Sequence, residues 1–361
     1  MKKHSVIVVC LIAALWLALT GFLWFGPRQE ISEAERRPLA QMPEISTETL
    51  LNGKFMGEFE DFTLDQFPLR DSFRQLKALY SKYLLRQQDN NGIYVADGYI
   101  AEMCYPLDEG SVSHALGQFQ LVYDLYLQEN DRIFTTVVPD KGYYLADASG
   151  HLSMDHEKLF DMVETGMPWA EFVDITGSLT IEDYYRTDTH WRQENILPVA
   201  QTLADAMGIT VAADYTQTPL ERPFYGVYYG PAALPMEPET MYLMESDLLA
   251  GCQVYLYTED RYTQIYDMEK LSAKDPYDIF LSGPQSLLRI ENPNAETDRE
   301  LVIFRDSFGS SLAPLLLKDY SAVTLIDIRY IQPQLLGKYV EFEGKDILFM
   351  YSSLVLNKNL I

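Results

Sequence analysis

Cysteine and histidine are scarce in this chain, which has three cysteines and five histidines among its 361 residues. No Cys or Glu recurs at metal-ligand spacing around His190, so the sequence predicts no metal site. Cys10 lies inside a long apolar run, which leaves Cys104 and Cys252 as a pair. In an oxidising compartment these two could form a disulfide, or they are two unrelated buried thiols, and the sequence leaves both alternatives open.

Basic residues are also few, with 28 Lys and Arg against 53 Asp and Glu and a formal net charge of −25. So acidic a chain lacks the basic surface that a nucleic-acid partner requires, and the same charge argues against peripheral docking on an anionic membrane. A neutral or cationic substrate is easier to accommodate. Hydrophobic residues make up 47% of the chain, enough for an ample core, which excludes disorder of the whole.

One uncharged apolar run, from Ser5 to Phe25, is long enough to cross a bilayer, which takes about 20 residues. It is too long for a typical signal-peptide core and lacks a clear small-x-small cleavage site, so an uncleaved anchor is favoured over a cleaved signal sequence. Basic residues lie on both sides of the run, so charge does not decide its orientation. We assign residues 1–26 to the tip and the anchor, and residues 27–46, which lack periodicity, to a linker.

Short apolar strands alternate with helical patterns through most of residues 47–361. Residues 47–86 are helical in pattern, and β-branched or apolar runs predict strands further on. These strands are Ile133 to Val138, Phe172 to Ile175, Leu301 to Phe304, Ala322 to Ile326 and Ile347 to Tyr351. The alternation is typical of a mostly parallel sheet covered on both faces. Residues from about 210 to 298 break the rhythm and predict a tyrosine-rich, β-containing insertion.

Two distant stretches carry candidate catalytic residues. Asp188 and His190 stand two apart, and in extended backbone such residues project to one side, so the carboxylate can hold the imidazole in one tautomer. Ser307 follows a predicted strand and precedes a helical pattern, which places its hydroxyl at a sharp turn where the first helix amides would face an oxyanion. Each motif alone is short, and a solvated turn and an N-cap serine are the alternatives.

Several stretches, taken together, match a known family in order. They are Ser32-x-x-Glu35-Arg36-Arg37-Pro38-Leu39, Asp65-Gln66-Phe67-Pro68-Leu69-Arg70-Asp71, Asn91-Gly92-Ile93-Tyr94, Asp188-Thr189-His190-Trp191, Asp278-Ile279-Phe280-Leu281-Ser282-Gly283 and Ile326-Asp327-Ile328-Arg329-Tyr330. The chain resembles the bacterial DHHW family, and through it the SGNH-hydrolase-like domains of periplasmic alginate O-acetyltransferases. The resemblance implies an SGNH-hydrolase-like three-layer α/β/α sandwich that lies outside the cell membrane, with the tip of residues 1–26 in the cytoplasm.

The resemblance also implies a Ser-His-Asp triad. In the acetyltransferase relatives the serine of a Gly-Asp-Ser-Phe-like stretch is the nucleophile and an Asp-x-His pair completes the triad, which points to Ser307, His190 and Asp188. The second residue of the DHHW signature is Thr189 here rather than His, as in the acetyltransferase version of the signature.

Further candidates surround these three residues. Arg305 stands where the hydrolase block often has Gly, and Pro284 follows Gly283 where Asn is expected, so the sequence does not assign an oxyanion hole. Gly283, Arg305 and Arg329 are candidate binding residues. Lys141, in the stretch Val138-Pro139-Asp140-Lys141, is a candidate supporting residue.

The sequence therefore predicts a single-pass membrane protein whose extracytoplasmic domain transfers or hydrolyses an O-acyl group, O-acetyl in the first instance, on a cell-envelope polysaccharide such as an exopolysaccharide. The chemistry requires no cofactor, and a membrane-bound O-acyltransferase is a candidate supplier of acyl groups. The alternative is a cell-surface protein that keeps the fold for polysaccharide binding or complex assembly without turnover.

Overall fold

The computed structural model describes residues 3–32 and 34–361; Met1, Lys2 and Glu33 lie outside the described residues, and with them the first two residues of the predicted cytoplasmic tip. The α-helices are α1 (Lys3–Phe25), α2 (Thr47–Leu51), α3 (Lys54–Asp65), α4 (Arg70–Leu79), α5 (Glu109–Val122), α6 (Lys141–Ser149), α7 (His156–Gly166), α8 (Leu197–Met207), α9 (Tyr229–Ala232), α10 (Asp247–Ala250), α11 (Phe308–Leu312) and α12 (Ser353–Asn357). Turns of π-helix continue α4 at Tyr80–Leu84 and α5 at Tyr123–Leu127.

The β-strands are β1 (Ile31–Ser32), β2 (Arg37–Pro38), β3 (Ile93–Ala96), β4 (Tyr99–Glu102), β5 (Ile133–Val138), β6 (Glu171–Phe172), β7 (Thr216–Pro219), β8 (Tyr242–Glu245), β9 (Gln253–Leu256), β10 (Arg261–Thr263), β11 (Leu287–Glu291), β12 (Glu300–Arg305), β13 (Ala322–Ile326) and β14 (Asp346–Ser352). Short 3-10 helices lie at Thr176–Ser178, Ile181–Asp183, Gln193–Asn195, Met268–Ser272, Pro276–Ile279, Ala313–Leu316 and Pro333–Lys338.

The chain divides into two compact units. The first comprises Met1–Asn90 and Tyr229–Met236, and the second comprises Asn91–Tyr228 and Glu237–Ile361. This division differs from the predicted one, which started the large domain at residue 47. The predicted linker is also partly structured, because β1 pairs with β2 and the guanidinium of Arg37 forms two hydrogen bonds, of 2.6 and 2.8 Å, with the carboxylate of Asp65.

In the first unit, α1 is the described helix that is long and apolar enough to cross a membrane, over His4–Phe25. A helix of this kind is a membrane anchor or a signal sequence. The end of α1 contacts α3 through Trp24, whose ring lies 6.1 Å from that of Phe59, and Phe59 stacks on Phe55 at 5.7 Å.

The second unit is built on an eight-stranded sheet with the strand order β10-β9-β11-β13-β12-β14-β5-β6. β13, β12, β14, β5 and β6 are parallel to one another, whereas β10, β9 and β11 continue the sheet in antiparallel pairing. Four of the five parallel strands, β5, β12, β13 and β14, are strands that the sequence predicts, and the mostly parallel sheet is confirmed. The predicted strand Phe172 to Ile175 overlaps β6 only at Phe172. Strands covered on both faces are continuous apolar runs, which makes them recognisable.

Helices cover the sheet on both faces, because successive side chains of a strand point to opposite sides. Leu301 and Ile303 of β12 pack in a core shared with α8 and α11. Val302 and Phe304 of the same strand pack in a second core, shared with α5, α7 and α12. The fold is therefore the predicted three-layer α/β/α sandwich.

Part of the predicted insertion at about 210–298 joins the sheet, through β9, β10 and β11, whereas β7 and β8 pair with each other in a separate two-stranded sheet. β11 pairs with both β13 and β9, and its Leu288 and Ile290 are buried in the same core as β12. In β9, the side chains are exposed, buried, half-buried and buried in turn. Such short and half-exposed strands give a weak sequence signal, which is why their place in the sheet was not predicted.

Cys104 and Cys252 are free thiols in two different cores. Cys104 lies in the core shared with α5, and Cys252 lies in the core shared with α8. Because the sheet separates these two cores, the disulfide that the sequence left open does not form in this structure. Burial raises the pKa of both thiols, that of Cys252 to about 11, and thereby disfavours the reactive thiolate.

Candidate active site

The turn after β12 holds Ser307 at the edge of the sheet. β12 ends at Arg305 and α11 begins at Phe308, so Ser307 lies in the predicted strand-to-helix turn. The carboxylate of Asp306 fastens this turn, because it accepts hydrogen bonds from the backbone N–H groups of Phe308 at 3.0 Å and Ser352 at 2.7 Å. The hydroxyl therefore stands at the carboxyl end of a parallel strand, where α/β proteins place their sites.

The structure brings Asp188, His190 and Ser307 together. The carboxylate of Asp188 accepts hydrogen bonds from the backbone N–H groups of His190 at 2.9 Å and Val227 at 2.8 Å, and its Oδ1 lies 2.6 Å from His190 Nδ1. On the other side of the ring, His190 Nε2 lies 2.7 Å from Ser307 Oγ. The three groups thus contact one another in the order carboxylate, imidazole, hydroxyl.

Two residues that the sequence analysis did not single out hold the backbone around Asp188. The carboxylate of Glu239 accepts hydrogen bonds from the N–H groups of Arg186 at 2.8 Å and Thr187 at 3.0 Å. Gly226 approaches Asp188 so closely that an added Cβ would lie 2.3 Å from its Cα, so a side chain cannot fit there. Glu239 is 52 residues from Thr187 in the chain, and no local pattern marks a contact across that distance.

An aromatic ring covers the imidazole. Tyr277 stacks on His190 with ring centroids 3.9 Å apart and planes inclined by 8°. Its hydroxyl shares a hydrogen bond with Ser311 Oγ at 2.8 Å, and Trp191 Nε1 donates to the same Oγ, also at 2.8 Å. This network holds Tyr277 against the face of the His190 ring and is another part of the site that the sequence did not reveal.

The electrostatics of the site favour a carboxylate at Asp188. Burial raises the pKa of this group, but the charge of His190, its two hydrogen bonds and the Val227 N–H lower it more, so the pKa lies well below its ordinary value. A buried carboxylate that accepts a hydrogen bond from an imidazole N–H both orients the ring and stabilises its cation.

Lys141 lies buried behind the loop that carries Asp188. Its Nζ donates hydrogen bonds to the carbonyl oxygens of Ile100 at 2.7 Å and Arg186 at 3.1 Å. Burial lowers the pKa of Lys141 to about 7, although the carboxylates of Asp188 and Glu239 oppose this shift. The side chain thus contacts the backbone two residues before Asp188.

The predicted oxyanion donors are engaged elsewhere. The N–H of Phe308 donates to the Asp306 carboxylate, and the N–H of Gly309 donates to the Asp306 carbonyl at 3.1 Å. Contrary to the expectation, these helix amides are occupied within the turn. The N–H of Gly283 donates to the carbonyl of Phe280 at 3.2 Å, so this candidate is also taken up by a local turn.

Arg305 and Arg329 differ in what they contact. Arg305 is buried, its Nη1 lies 3.3 Å from the Asp306 carbonyl, and its Nε and Nη2 have no hydrogen-bond acceptor among the described residues. Arg329 donates to both oxygens of Asp327, at 2.9 and 2.6 Å, and is held by that carboxylate. Within the described ranges, no cluster of three or more His, Cys, Asp or Glu is placed to bind a metal ion.

Comparison with known proteins gives matches among solved structures. No protein-family model and no curated protein matches this chain. A DHHW family protein from Eubacterium siraeum matches 75% of this chain and 94% of its own, with 20% identity and a TM-score of 0.58. PatB1 from Bacillus cereus, in a structure with a sulfonyl adduct, matches 74% of this chain and 98% of its own, with 16% identity and a TM-score of 0.58.

A more distant match is the O-acetyltransferase domain of AlgJ from Pseudomonas putida, with 13% identity and a TM-score of 0.44 over 74% of this chain and 92% of that domain. At such identities the first two structures show a common fold. In its fold, the chain is therefore similar to a DHHW family protein, as the sequence predicts, and to PatB1.

Proposed function

We propose that this protein is a membrane-anchored, extracytoplasmic O-acyltransferase or esterase that acts on an O-acyl group, O-acetyl in the first instance, of a cell-envelope polysaccharide. The observation that carries this proposal is the continuous contact from Asp188 through His190 to Ser307, with steps of 2.6 and 2.7 Å. A serine hydroxyl is a weak nucleophile without a base in hydrogen-bond reach, and this hydroxyl has one. The acyl group and the polysaccharide follow from the resemblance to the acetyltransferases.

In the first half of the reaction, Ser307 Oγ attacks the carbonyl carbon of an acyl ester while His190 Nε2 takes the hydroxyl proton. The bond to the leaving oxygen then breaks, and His190 returns the proton to that oxygen, which leaves an acyl-serine. In the second half, a sugar hydroxyl or water gives its proton to His190 and attacks the acyl carbon. Ser307 leaves and recovers the proton, and Asp188 stays ionised throughout.

The proposed location follows from the first unit. Residues 1–26 would hold a cytoplasmic tip and the anchor, residues 27–46 would form the linker, and residues 47–361 would lie outside the membrane. The apolar helix over His4–Phe25 supports this arrangement. A membrane-bound O-acyltransferase would supply the acyl groups, and a cell-envelope polysaccharide would accept or release them.

Covalent labelling tests the nucleophile directly. The purified chain is incubated with an activated acetyl ester or with a sulfonyl fluoride. After proteolytic digestion, the mass of the peptide that contains Ser307 is measured by mass spectrometry. We expect an added acetyl or sulfonyl group on Ser307 in the wild type. In Ser307→Ala, His190→Ala and Asp188→Asn we expect no adduct on this peptide and strongly reduced ester turnover.

The chain offers a matched control for these variants. Ser353 is a buried serine whose Oγ donates a hydrogen bond to Asp140 Oδ2 at 2.8 Å, whereas the half-buried Ser307 contacts an imidazole. Ser353→Ala should keep both the adduct on Ser307 and the turnover. Equal turnover in the wild type and in all the triad variants would reject the proposal in favour of a binding or assembly protein.

Protease accessibility tests the proposed location. Protease added to intact cells should digest the part of the chain after residue 26, and α1 should remain with the membrane fraction. Digestion only after lysis would place the domain inside the cell and would contradict the extracytoplasmic function.

A further inference from the structure

A stripe of exposed apolar side chains runs along α4 and the π-helical turn that follows it. Leu69, Phe73, Leu76, Tyr80 and Tyr83 follow one another at intervals of three or four residues, so they share one helical face. Each of them is between 49% and 71% exposed. Large apolar side chains of a folded unit are normally packed in its interior. A contiguous exposed stripe of them therefore marks a surface that contacts something else.

The stretch of chain that contains the stripe has a net positive charge, whereas the chain as a whole is negative. Residues 69–86, which we call the interfacial segment, contain five of the 28 basic residues and one of the 53 acidic residues. The basic residues are Arg70, Arg74, Lys77, Lys82 and Arg86, of which Lys77 and Arg86 are exposed and the other three are half-buried. Glu35 partly compensates Arg70 and Arg74, at 2.5 and 3.1 Å. The remainder of the chain is strongly acidic, so this basic segment is a local feature that the net charge conceals.

The interfacial segment belongs to the same compact unit as α1, the helix apolar enough to cross a membrane. Within this unit, Trp24 of α1 contacts Phe59 of α3, and Phe67 after α3 contacts Phe73 of the stripe with ring centroids 5.5 Å apart. Residues on or directly after α3 thus contact both the end of the span and the stripe.

We propose that the interfacial segment lies in the headgroup region of the bilayer, with the stripe in the acyl-chain boundary and the basic residues against anionic lipid headgroups. This inference rests on the proposed anchoring by α1. A helix with an apolar face, tyrosines on that face and lysines and arginines beside it has the composition of a segment that lies in the plane of a membrane. The bilayer that receives α1 supplies the apolar boundary, and anionic lipids in the leaflet on the side of the domain supply the negative charge.

The local charge of the interfacial segment, rather than the net charge of the chain, determines whether this surface can bind an anionic membrane. A total charge of −25 argues against peripheral docking on an anionic membrane, but electrostatic attraction to lipid headgroups falls off within a Debye length of about 8 Å at physiological ionic strength. Only the charges near the surface take part. The interaction of this surface is therefore set by the net positive residues 69–86 together with the acidic groups beside them, Glu35 and Asp65.

Lipid quenching in vesicles tests the inference on the full chain. A Cys10→Ala background keeps the buried Cys104 and Cys252, and Leu76→Cys in this background carries an environment-sensitive fluorophore. The control is Glu164→Cys, an exposed helical position on α7 in the second unit. The labelled proteins are reconstituted into vesicles of phosphatidylcholine with or without phosphatidylglycerol, and brominated acyl chains quench probes that reach the apolar boundary.

We expect the probe at position 76 to be quenched by brominated lipid and shielded from iodide in the water, and the probe at position 164 to behave in the opposite way. Omitting phosphatidylglycerol, raising the salt concentration or introducing Lys77→Gln with Lys82→Gln and Arg86→Gln should each weaken the lipid quenching at position 76. Ester turnover by Ser307 in the same vesicles should not change, so a failure here is distinguishable from a failure of the proposed chemistry.

Three outcomes would overturn the inference. The first is a probe at position 76 that iodide quenches as strongly in vesicles as the probe at position 164. The second is protection of position 76 in lipid-free detergent together with crosslinks between copies, which would make the stripe an interface between two chains. The third is release of the whole protein from vesicles by alkaline extraction, which would show that α1 does not anchor it.

Discussion

The second unit contains two groups of one aspartate, one histidine and one serine, and they are connected in different ways. In the first group, His190 lies between Asp188 and Ser307, with one ring nitrogen on each. In the second group Asp140 lies in the middle, because its Oδ2 contacts His156 Nε2 at 2.9 Å and accepts a hydrogen bond from Ser353 Oγ at 2.8 Å.

The order of contacts, and not the set of residue types, therefore determines which serine can act as a nucleophile. The Ser353 hydroxyl donates its proton to a carboxylate and has no imidazole as base, so it is not activated. Asp140 also accepts a hydrogen bond from the N–H of Gly142 at 2.5 Å, as the N-cap of α6. The second group therefore ties β5 and α6 to α12, whereas the first leaves a hydroxyl in contact with a base.

Removing each histidine gives the largest expected contrast. His190→Ala should reduce ester turnover by roughly three to six orders of magnitude, because Ser307 loses its base. His156→Ala should leave the turnover per folded molecule within about tenfold of the wild type, because the His156 ring contacts Asp140 and Tyr143 rather than Ser307 or His190. Turnover is measured at equal concentrations of folded protein. A similar loss in both variants would mean that the two groups act as one.

Removing the central carboxylate of the second group should affect stability instead. Asp140→Ala leaves the donors of His156, Ser353 and Gly142 without their acceptor in a buried site, so we expect a loss of about 3 to 5 kcal/mol in the free energy of unfolding. Ser353→Ala removes one of these contacts and should cost about 1 kcal/mol. Urea unfolding at pH 7 measures both variants.

The pH dependence gives a second check on Asp140. Burial raises the pKa of this carboxyl, but its contacts with His156, Ser353 and Gly142 lower the pKa by a larger amount. The net pKa therefore lies below the ordinary value. A carboxyl with a lowered folded pKa stabilises the fold above its unfolded pKa of about 4, and the contribution is lost as the pH falls through the folded value. The difference between wild type and Asp140→Ala should therefore shrink below about pH 4. A difference that stays constant would show that packing, and not charge, accounts for the effect.

The sheet and the first group could be predicted from the sequence to different depths. The parallel strands β5, β12, β13 and β14 were recognisable because each is an apolar run buried on both faces, whereas β6 is short and partly exposed. Asp188 and His190 were predictable because their contact is local, and Ser307 was predictable because strand and helix patterns flank it. The contact between the two halves, at 2.7 Å across 117 residues, depends on the fold; the sequence offered it as a hypothesis, and the family resemblance supported it.

The residues that support the site could not be predicted, and the reason is physical. Tyr277 and Glu239 act through contacts that the fold creates between distant loops, and neither residue lies in a pattern with a distinctive spacing. The engaged N–H groups of Phe308 and Gly309 show a related limit, because the sequence places a helix start but does not show that Asp306 already occupies its amides.

Lys141 supports the loop of the first group, and its titration should be measurable. Because its folded pKa is lowered to about 7 while its unfolded pKa is about 10.4, the unfolded state binds more protons between these values. The fold should therefore gain stability as the pH rises, by about 2 to 3 kcal/mol between pH 7.5 and 9.5. Lys141→Met should lack this gain.

The control for this titration is an exposed lysine. Lys158 pairs with Glu109 at 2.6 Å on the surface, and Lys158→Met should keep the same dependence on pH as the wild type. Urea unfolding at the two pH values measures all three proteins. A slope that persists in Lys141→Met would assign the titration to another group.

The two histidines also differ in the tyrosine ring that contacts each of them, and we expect substitutions of these tyrosines to have the smallest effects on turnover and stability. Tyr277 stacks face to face on His190 at 3.9 Å, whereas Tyr143 meets His156 edge-on, at 5.2 Å and 78°. Tyr277→Phe keeps the stacked ring and removes only the hydroxyl that contacts Ser311, whose Oγ still accepts a hydrogen bond from Trp191. We expect a loss of about 1 kcal/mol in stability and a change in turnover within about tenfold.

Tyr277→Leu removes the ring itself and separates the role of the stack from that of the hydroxyl. Loss of the aromatic contact should cost a further 0.5 to 1.5 kcal/mol, approximately, and His190 should lose the surface that holds its plane between Asp188 and Ser307. Turnover should therefore fall more in Tyr277→Leu than in Tyr277→Phe, whereas Tyr143→Leu should lower stability without a comparable loss of turnover. If the leucine and phenylalanine variants of Tyr277 turn over ester equally, the stacked ring is packing alone, and the imidazole is positioned by its hydrogen bonds to Asp188.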